Sequence, residues 1–321
     1  MAFLEETFSL KNNRGEMMYG IIHHPSAPNG GLIMMFNIGL HYRVCHSRLF
    51  VRQARELQRA GFIVARFDTS KVGYSQGELA SGRAIDSFDS IQTGLFQSDA
   101  RLCVSYLKGK LNPRRIFFWG LCGGALTAII TAAKDKDIDG VIFIAGPVTV
   151  TSADFELSHL HPFDANILIL GYIKRILNPA AWLRFLSGKT SYRWIFRSLK
   201  VKLLSKIPHH KGELANDNET VTGENKGDRF NGVFLESFDI IVKSGRPIFF
   251  LIPELDQATY DFERMFAGPI LSRYTDFAGY FSIAKVPKAN HTFSTAESTL
   301  KLFALTGQWL LKGIDLDAKA K

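Results

Sequence analysis

Ile116-Phe117-Phe118-Trp119-Gly120-Leu121-Cys122-Gly123-Gly124-Ala125-Leu126-Thr127-Ala128-Ile129-Ile130-Thr131-Ala132-Ala133 is a run of 18 residues without a charge. That length meets the threshold for a membrane span. Its middle, Gly120-Leu121-Cys122-Gly123-Gly124, would break a helix in two. The first part is aromatic and β-branched, as in a buried strand, and the part from Ala125 onward is a small-residue helix. The stretch therefore reads as strand, sharp turn, helix. Glycines flanking Cys122 let a strained turn pack tightly. The thiol then sits at a helix N-terminus, where free N–H groups and the helix dipole favour negative charge. The competing reading of Cys122 is a small buried thiol beside a glycine-rich packing turn.

Working outward, residues 7–10 and 17–24 read as two antiparallel strands joined by the turn Asn12-Asn13-Arg14-Gly15. Leu32-Ile33-Met34-Met35-Phe36 is a continuous apolar run, expected of a strand covered on both faces. Leu49, Phe50, Gln53, Ala54 and Leu57 recur at helical spacing and Gly61 follows as a stop. Strands over 62–67, 115–119 and 141–145 alternate with helices over 98–107 and 125–133. After an interruption the alternation resumes with a strand at 247–252, a helix at 258–266, a strand at 281–286 and a closing helix at 295–311. This order predicts an α/β fold with a mostly parallel central sheet and helices on both faces. The core is expected over 1–147 and 244–321. The insertion is expected over 148–243, with helices at 167–177, 180–186 and 192–204 and a polar loop at 216–227.

Parallel strands bring their C-terminal ends to one edge, so the loops after them converge. Asp256 follows one strand, with Glu254 as a competing carboxylate, and His291 follows the next. A thiol nucleophile needs a base to take its proton and a carboxylate to orient that base. The chain order nucleophile, acid, histidine fits this need. The backbone N–H of Gly123 would face a developing oxyanion. A second donor is expected from Phe36-Asn37-Ile38-Gly39-Leu40, at Ile38, with Gly39 allowing close approach and Asn37 bracing the loop. His23, His24, His209 and His210 read as structural or solvated, and Cys45 and Cys103 as core thiols. The loop from Asp68 to Gly77 lacks the Gly-Lys-Ser/Thr ending of a phosphate loop and reads as a structural turn.

Composition bounds the rest. The 321 residues, 46% hydrophobic and 21% charged, exclude disordered, collagen-like and coiled-coil chains. Three cysteines cannot form a closed disulfide framework, so a reducing compartment is the default. Met1 to Glu6 has no basic region or apolar run, so no signal peptide is expected. The net charge of +9 is local: residues 165–212 hold ten Lys or Arg and no Asp or Glu. With Trp182 and Trp194 among them, these cations suit an anionic membrane surface. They also suit an acidic polysaccharide or the phosphates of an acyl carrier, and a solvated helical face is the plainer alternative. No nucleic-acid module, metal or cofactor is expected.

Asn37-Ile38-Gly39 with His41-Tyr42-Arg43, the Arg66-Phe67-Asp68 strand end and Gly120-Leu121-Cys122-Gly123-Gly124-Ala125 resemble the α/β-hydrolase superfamily over nearly the whole chain. More particularly, they are similar to the hydrolases encoded with the exosortase A system of Gram-negative bacteria, associated with exopolysaccharide production. The resemblance implies the α/β-hydrolase fold with a helical lid, Cys122 as nucleophile, Asp256 as acid and His291 as base. Cysteine in that place is similar to dienelactone hydrolases, which act on activated esters. The expected substrate is a small-molecule or lipid-like ester, lactone or thioester, with acyl transfer or noncatalytic binding as alternatives. The expected location is the cytoplasm, peripheral to the inner membrane if the lid meets lipid.

Overall fold

The computed structural model of the protein describes residues 4–79, 89–150 and 229–315. Eight strands form one sheet: β1 (Leu4–Lys11), β2 (Met17–His24), β3 (Gly31–Phe36), β4 (Ile63–Phe67), β5 (Arg115–Leu121), β6 (Gly140–Ile144), β7 (Ile248–Leu255) and β8 (Phe281–Asn290). Their order is β1-β2-β4-β3-β5-β6-β7-β8. β2 pairs antiparallel with β1 and β4, and every other pairing is parallel. The expected α/β architecture is therefore the one observed.

The apolar runs explain why these segments become central strands. Side chains alternate between faces, so a strand covered on both sides must be apolar at every position. In β3, Leu32, Met34 and Phe36 enter one core while Ile33 and Met35 enter the other. β5 repeats the division, with Ile116 and Phe118 on the first face and Phe117, Trp119 and Leu121 on the second. Each such fully buried side chain stabilises the fold by about 1.5–3 kcal/mol. The second face is covered by helices α1 (Leu49–Arg59) and α6 (Ala296–Asp315), through Phe50, Leu57, Leu302 and Leu310. The first is covered by α2 (Gln97–Leu111), α3 (Gly123–Ala133) and α4 (Gly232–Lys243).

The 18-residue uncharged run divides as its glycines predict, into β5 and α3. Among the described residues no helix is long and apolar enough to cross a membrane. The chain forms two compact units, 1–151 with 230–321, and 152–229. The insertion is thus shorter than 148–243, because α4 belongs to the core. Its Phe234, Phe238, Ile241 and Val242 are buried, and it packs against α3. Asn231 caps it by accepting from the Val233 and Phe234 N–H groups at 3.0 and 3.1 Å. The predicted helices at 167–177, 180–186 and 192–204 and the basic segment lie outside the described residues.

Candidate active site

Cys122 stands between β5 and α3 with φ 55° and ψ −124°. A non-glycine residue held there costs on the order of 1–3 kcal/mol, so the surroundings must enforce it. They do so by close approach. A Cβ on Gly120 would lie 2.2 Å from the Gly124 carbonyl oxygen, and one on Gly124 would lie 2.7 Å from the carbonyl oxygens of Phe36 and Asn37. The Cys122 N–H donates to the Ile144 carbonyl at 2.9 Å, and its own carbonyl accepts from Ala125 N–H at 2.9 Å. The bare Gly124 is what lets the loop after β3 lie across the turn. A Cβ on Gly123 would meet Gly39 Cα at 3.1 Å, so Ile38 and Gly39 stand beside the first turn of α3.

Asn37 fixes that loop. It is buried; its Nδ2 donates to the Gly39 carbonyl at 2.5 Å, and its Oδ1 accepts from the Thr69 hydroxyl at 3.1 Å. Removing the amide strands these partners at about 1–3 kcal/mol. Asn37→Ala is therefore expected to lower the urea midpoint by that equivalent and kcat by about tenfold as the loop loosens. Unchanged stability and turnover would refute this bracing role.

The same loop is tied down by a buried ionic network. Arg43 pairs with Asp68 and its backbone N–H donates to Asp68 Oδ1 at 2.5 Å. Arg66 donates to the Arg43 carbonyl at 2.8 Å and to His23 Nε2 at 2.9 Å. Burial pushes the Asp68 carboxyl up, against the pull of Arg43. Burial and then the Arg66 charge push His23 down to about 4, consistent with its accepting role. Sequence reasoning missed this network; the signal was a charged pair, Arg66 and Asp68, at the end of an otherwise apolar strand. The Asp68–Gly77 turn is anchored as a structural element, with the Ser70 N–H bonded to Asp99 at 2.9 Å.

The two remaining predicted residues meet. His291 Nδ1 lies 2.7 Å from Asp256 Oδ2. Asp256 also caps α5 (Gln257–Asp261), accepting from Ala258 N–H at 3.3 Å. Glu254, the competing carboxylate, instead accepts the backbone N–H of Lys288 at 2.7 Å. Two buried hydroxyls hold the flanking loops: Thr259 donates to the Pro253 carbonyl at 2.6 Å and Thr299 to the Phe293 carbonyl at 2.7 Å. Burial alone would pull the His291 imidazole down. The hydrogen bond to Asp256, the nearness of the Cys122 sulfur and the charges of both outweigh it and push His291 up to about 10. One imidazole thus bonds a carboxylate and stands beside the cysteine of the strained turn.

The other cysteines stand apart from this chemistry. Cys45 is buried, and burial pushes its thiol up to about 12; burial also drives the Cys103 thiol well above its ordinary value. Among the described residues no group of three or more His, Cys, Asp or Glu side chains is placed to hold a metal ion.

No protein-family model matches the sequence, and no curated protein matches it. Solved structures do. An esterase of Pyrococcus furiosus is 14% identical with a TM-score of 0.57, covering 97% of this chain and 91% of that one. Est1E from Butyrivibrio proteoclasticus, with ferulic acid bound, is 13% identical at 0.52, covering 96% and 99%. An alpha-beta serine hydrolase homologue from Coxiella burnetii is 12% identical at 0.52, covering 95% and 97%. With the sheet order and the strand–turn–helix at Cys122 already on the page, the chain has the α/β-hydrolase fold.

Proposed function

We propose that this protein is a hydrolase of ester or thioester bonds that works through Cys122, His291 and Asp256. The observation that carries the reading is His291, bonded to Asp256 at 2.7 Å and standing beside Cys122 at the strained turn. In the first step Cys122 Sγ, its proton held on His291, attacks the acyl carbonyl carbon as the thiolate. The oxyanion that forms is received by the N–H groups of Gly123 and Ile38. Collapse expels the alcohol or thiol, which takes the proton from His291, and leaves a thioester on Cys122. Water, deprotonated by His291, then releases the acid and regenerates the thiol. Asp256 holds the imidazole in the tautomer and orientation that both steps need.

Two similar structures support an ester substrate in kind, since one is of an esterase and another carries ferulic acid. The Coxiella burnetii structure is of a serine hydrolase homologue, whereas the residue at the strained turn here is Cys122. A thiolate attacks activated carbonyls well, which places esters, lactones and thioesters ahead of unstrained amides. The ten cations of residues 165–212 suit anionic or membrane-associated acyl substrates by their charge. A role near exopolysaccharide production rests on the sequence resemblance alone.

The test is intact-protein mass spectrometry after brief exposure to short- and long-chain p-nitrophenyl esters and acyl thioesters. An acyl adduct is expected on wild type, absent from Cys122→Ala, with p-nitrophenol release lost in both Cys122→Ala and His291→Ala. An adduct that survives Cys122→Ala would overturn the assignment of the nucleophile.

A further inference from the structure

We propose that Glu254 is a positioning residue: by capping a bulge at Lys288 it sets the register at which His291 meets Asp256. The inference rests on the triad reading above and deepens it.

The geometry lies in the last pair of strands. β7 and β8 run in parallel register from Ile248↔Phe281 to Pro253↔Val286, and pairing resumes at Leu255↔Asn290. Between those two pairs β8 advances four residues while β7 advances two, so β8 carries two extra residues. Without them Leu255 would face Lys288, and His291 would run about 6.6 Å past its present place beside Asp256, at about 3.3 Å per residue. With them Asn290 faces Leu255, and the next residue of each strand leaves the sheet side by side. Those next residues are Asp256 and His291, 2.7 Å apart.

The bulge carries a conformational cost. Lys288 has φ 54°, a left-handed backbone that residues with a side chain seldom adopt. Val286 and Ala289 both turn into the core, with Pro287 and Lys288 exposed between them, so the strand's alternation is broken there. Bulged residues stand outside the ladder, and the Lys288 N–H bonds instead to Glu254 Oε2 at 2.7 Å. A carboxylate on a backbone N–H is among the stronger hydrogen bonds. Glu254 therefore holds the one residue whose backbone resists the bulge, from the strand that carries the acid.

The test uses full-length protein labelled with nitrogen-15. The His291 Nδ1–H is read as a proton resonance downfield of the amides, assigned by its loss in His291→Gln. Glu254→Ala is expected to abolish or broaden it and to lower kcat by about 10- to 100-fold with KM nearly unchanged. Glu254→Gln keeps an acceptor for the Lys288 N–H and is expected to retain both readouts. Glu254→Ala with Lys288→Gly is expected to restore them, because glycine holds a positive φ without strain. A Glu254→Ala protein with the signal and kcat of wild type overturns the proposal, and so does a double variant that restores neither. Loss of turnover in Glu254→Gln with the signal intact would make Glu254 a participant in the chemistry, which also overturns it. If wild type gives the resonance but no acyl adduct on Cys122, the triad reading fails alone, and the resonance still reports on Glu254.

Discussion

Replacing Asp256 by asparagine is expected to lower kcat by roughly 10,000-fold, the order found when a triad carboxylate loses its charge and no longer holds its histidine. The amide is nearly isosteric and keeps one acceptor for the Ala258 N–H that Asp256 caps, so the fold should survive. The hydrogen bond at 2.7 Å and the negative charge behind it do not. The same bond helps push His291 up to about 10 from an ordinary 6.5, so Asp256→Asn should move the imidazole titration downward. A stability signature follows. A histidine whose folded value is raised contributes stability that is fully present below about 6.5 and is lost as pH rises through about 10. Urea midpoints of wild type should therefore fall across that window, less steeply in Asp256→Asn. A variant retaining kcat within about tenfold would remove Asp256 from the mechanism.

Why Asp256 and not Glu254 meets His291 is instructive about what a sequence can carry. The two carboxylates are two residues apart at the end of one strand, and both have the right chemistry. The choice between them depends on the register of β7 against β8, which the two-residue bulge alters. Register is a property of the pair, so neither strand's own pattern reveals it. The central strands were legible for the opposite reason, because a strand buried on both faces must be apolar throughout. The turn at Cys122 was legible because close backbone approach admits only glycine at positions 120 and 124. Residues 232–243 fell inside the expected insertion with no helix read there; the helix α4 they form joins the core because its packing partner is α3, about a hundred residues earlier in the chain. The Arg43–Asp68 pair was invisible as structure because charged residues default to the surface, and only the fold brings the loop after β3 to the end of β4.

Gly120→Ala and Gly109→Ala are the same chemical change with opposite expected outcomes. Gly109 is exposed on α2, and a Cβ there would meet nothing within 4 Å. Alanine removes conformational freedom from the unfolded chain and improves helix propensity, so Gly109→Ala should stabilise by about 0.5–1 kcal/mol. At Gly120 the added Cβ would lie 2.2 Å from the Gly124 carbonyl oxygen and 2.6 Å from the Ala125 Cα. Both contacts are backbone, so no side chain can rotate away, and relief requires moving α3 off β5. That movement would release the close packing that holds Cys122 at φ 55° and would loosen Gly124 from the loop bearing Ile38. Overpacking a rigid interior typically costs about 1–3 kcal/mol and more where backbone must shift, so Gly120→Ala is expected at or above about 3 kcal/mol. Urea denaturation of the two variants beside wild type measures both signs at once. Acylation of Cys122 in whatever folded Gly120→Ala protein remains then tells stability from geometry. A folded variant that acylates at the wild-type rate would mean the nucleophile tolerates a relaxed turn, and the argument that the strained backbone is needed for attack would have to be given up.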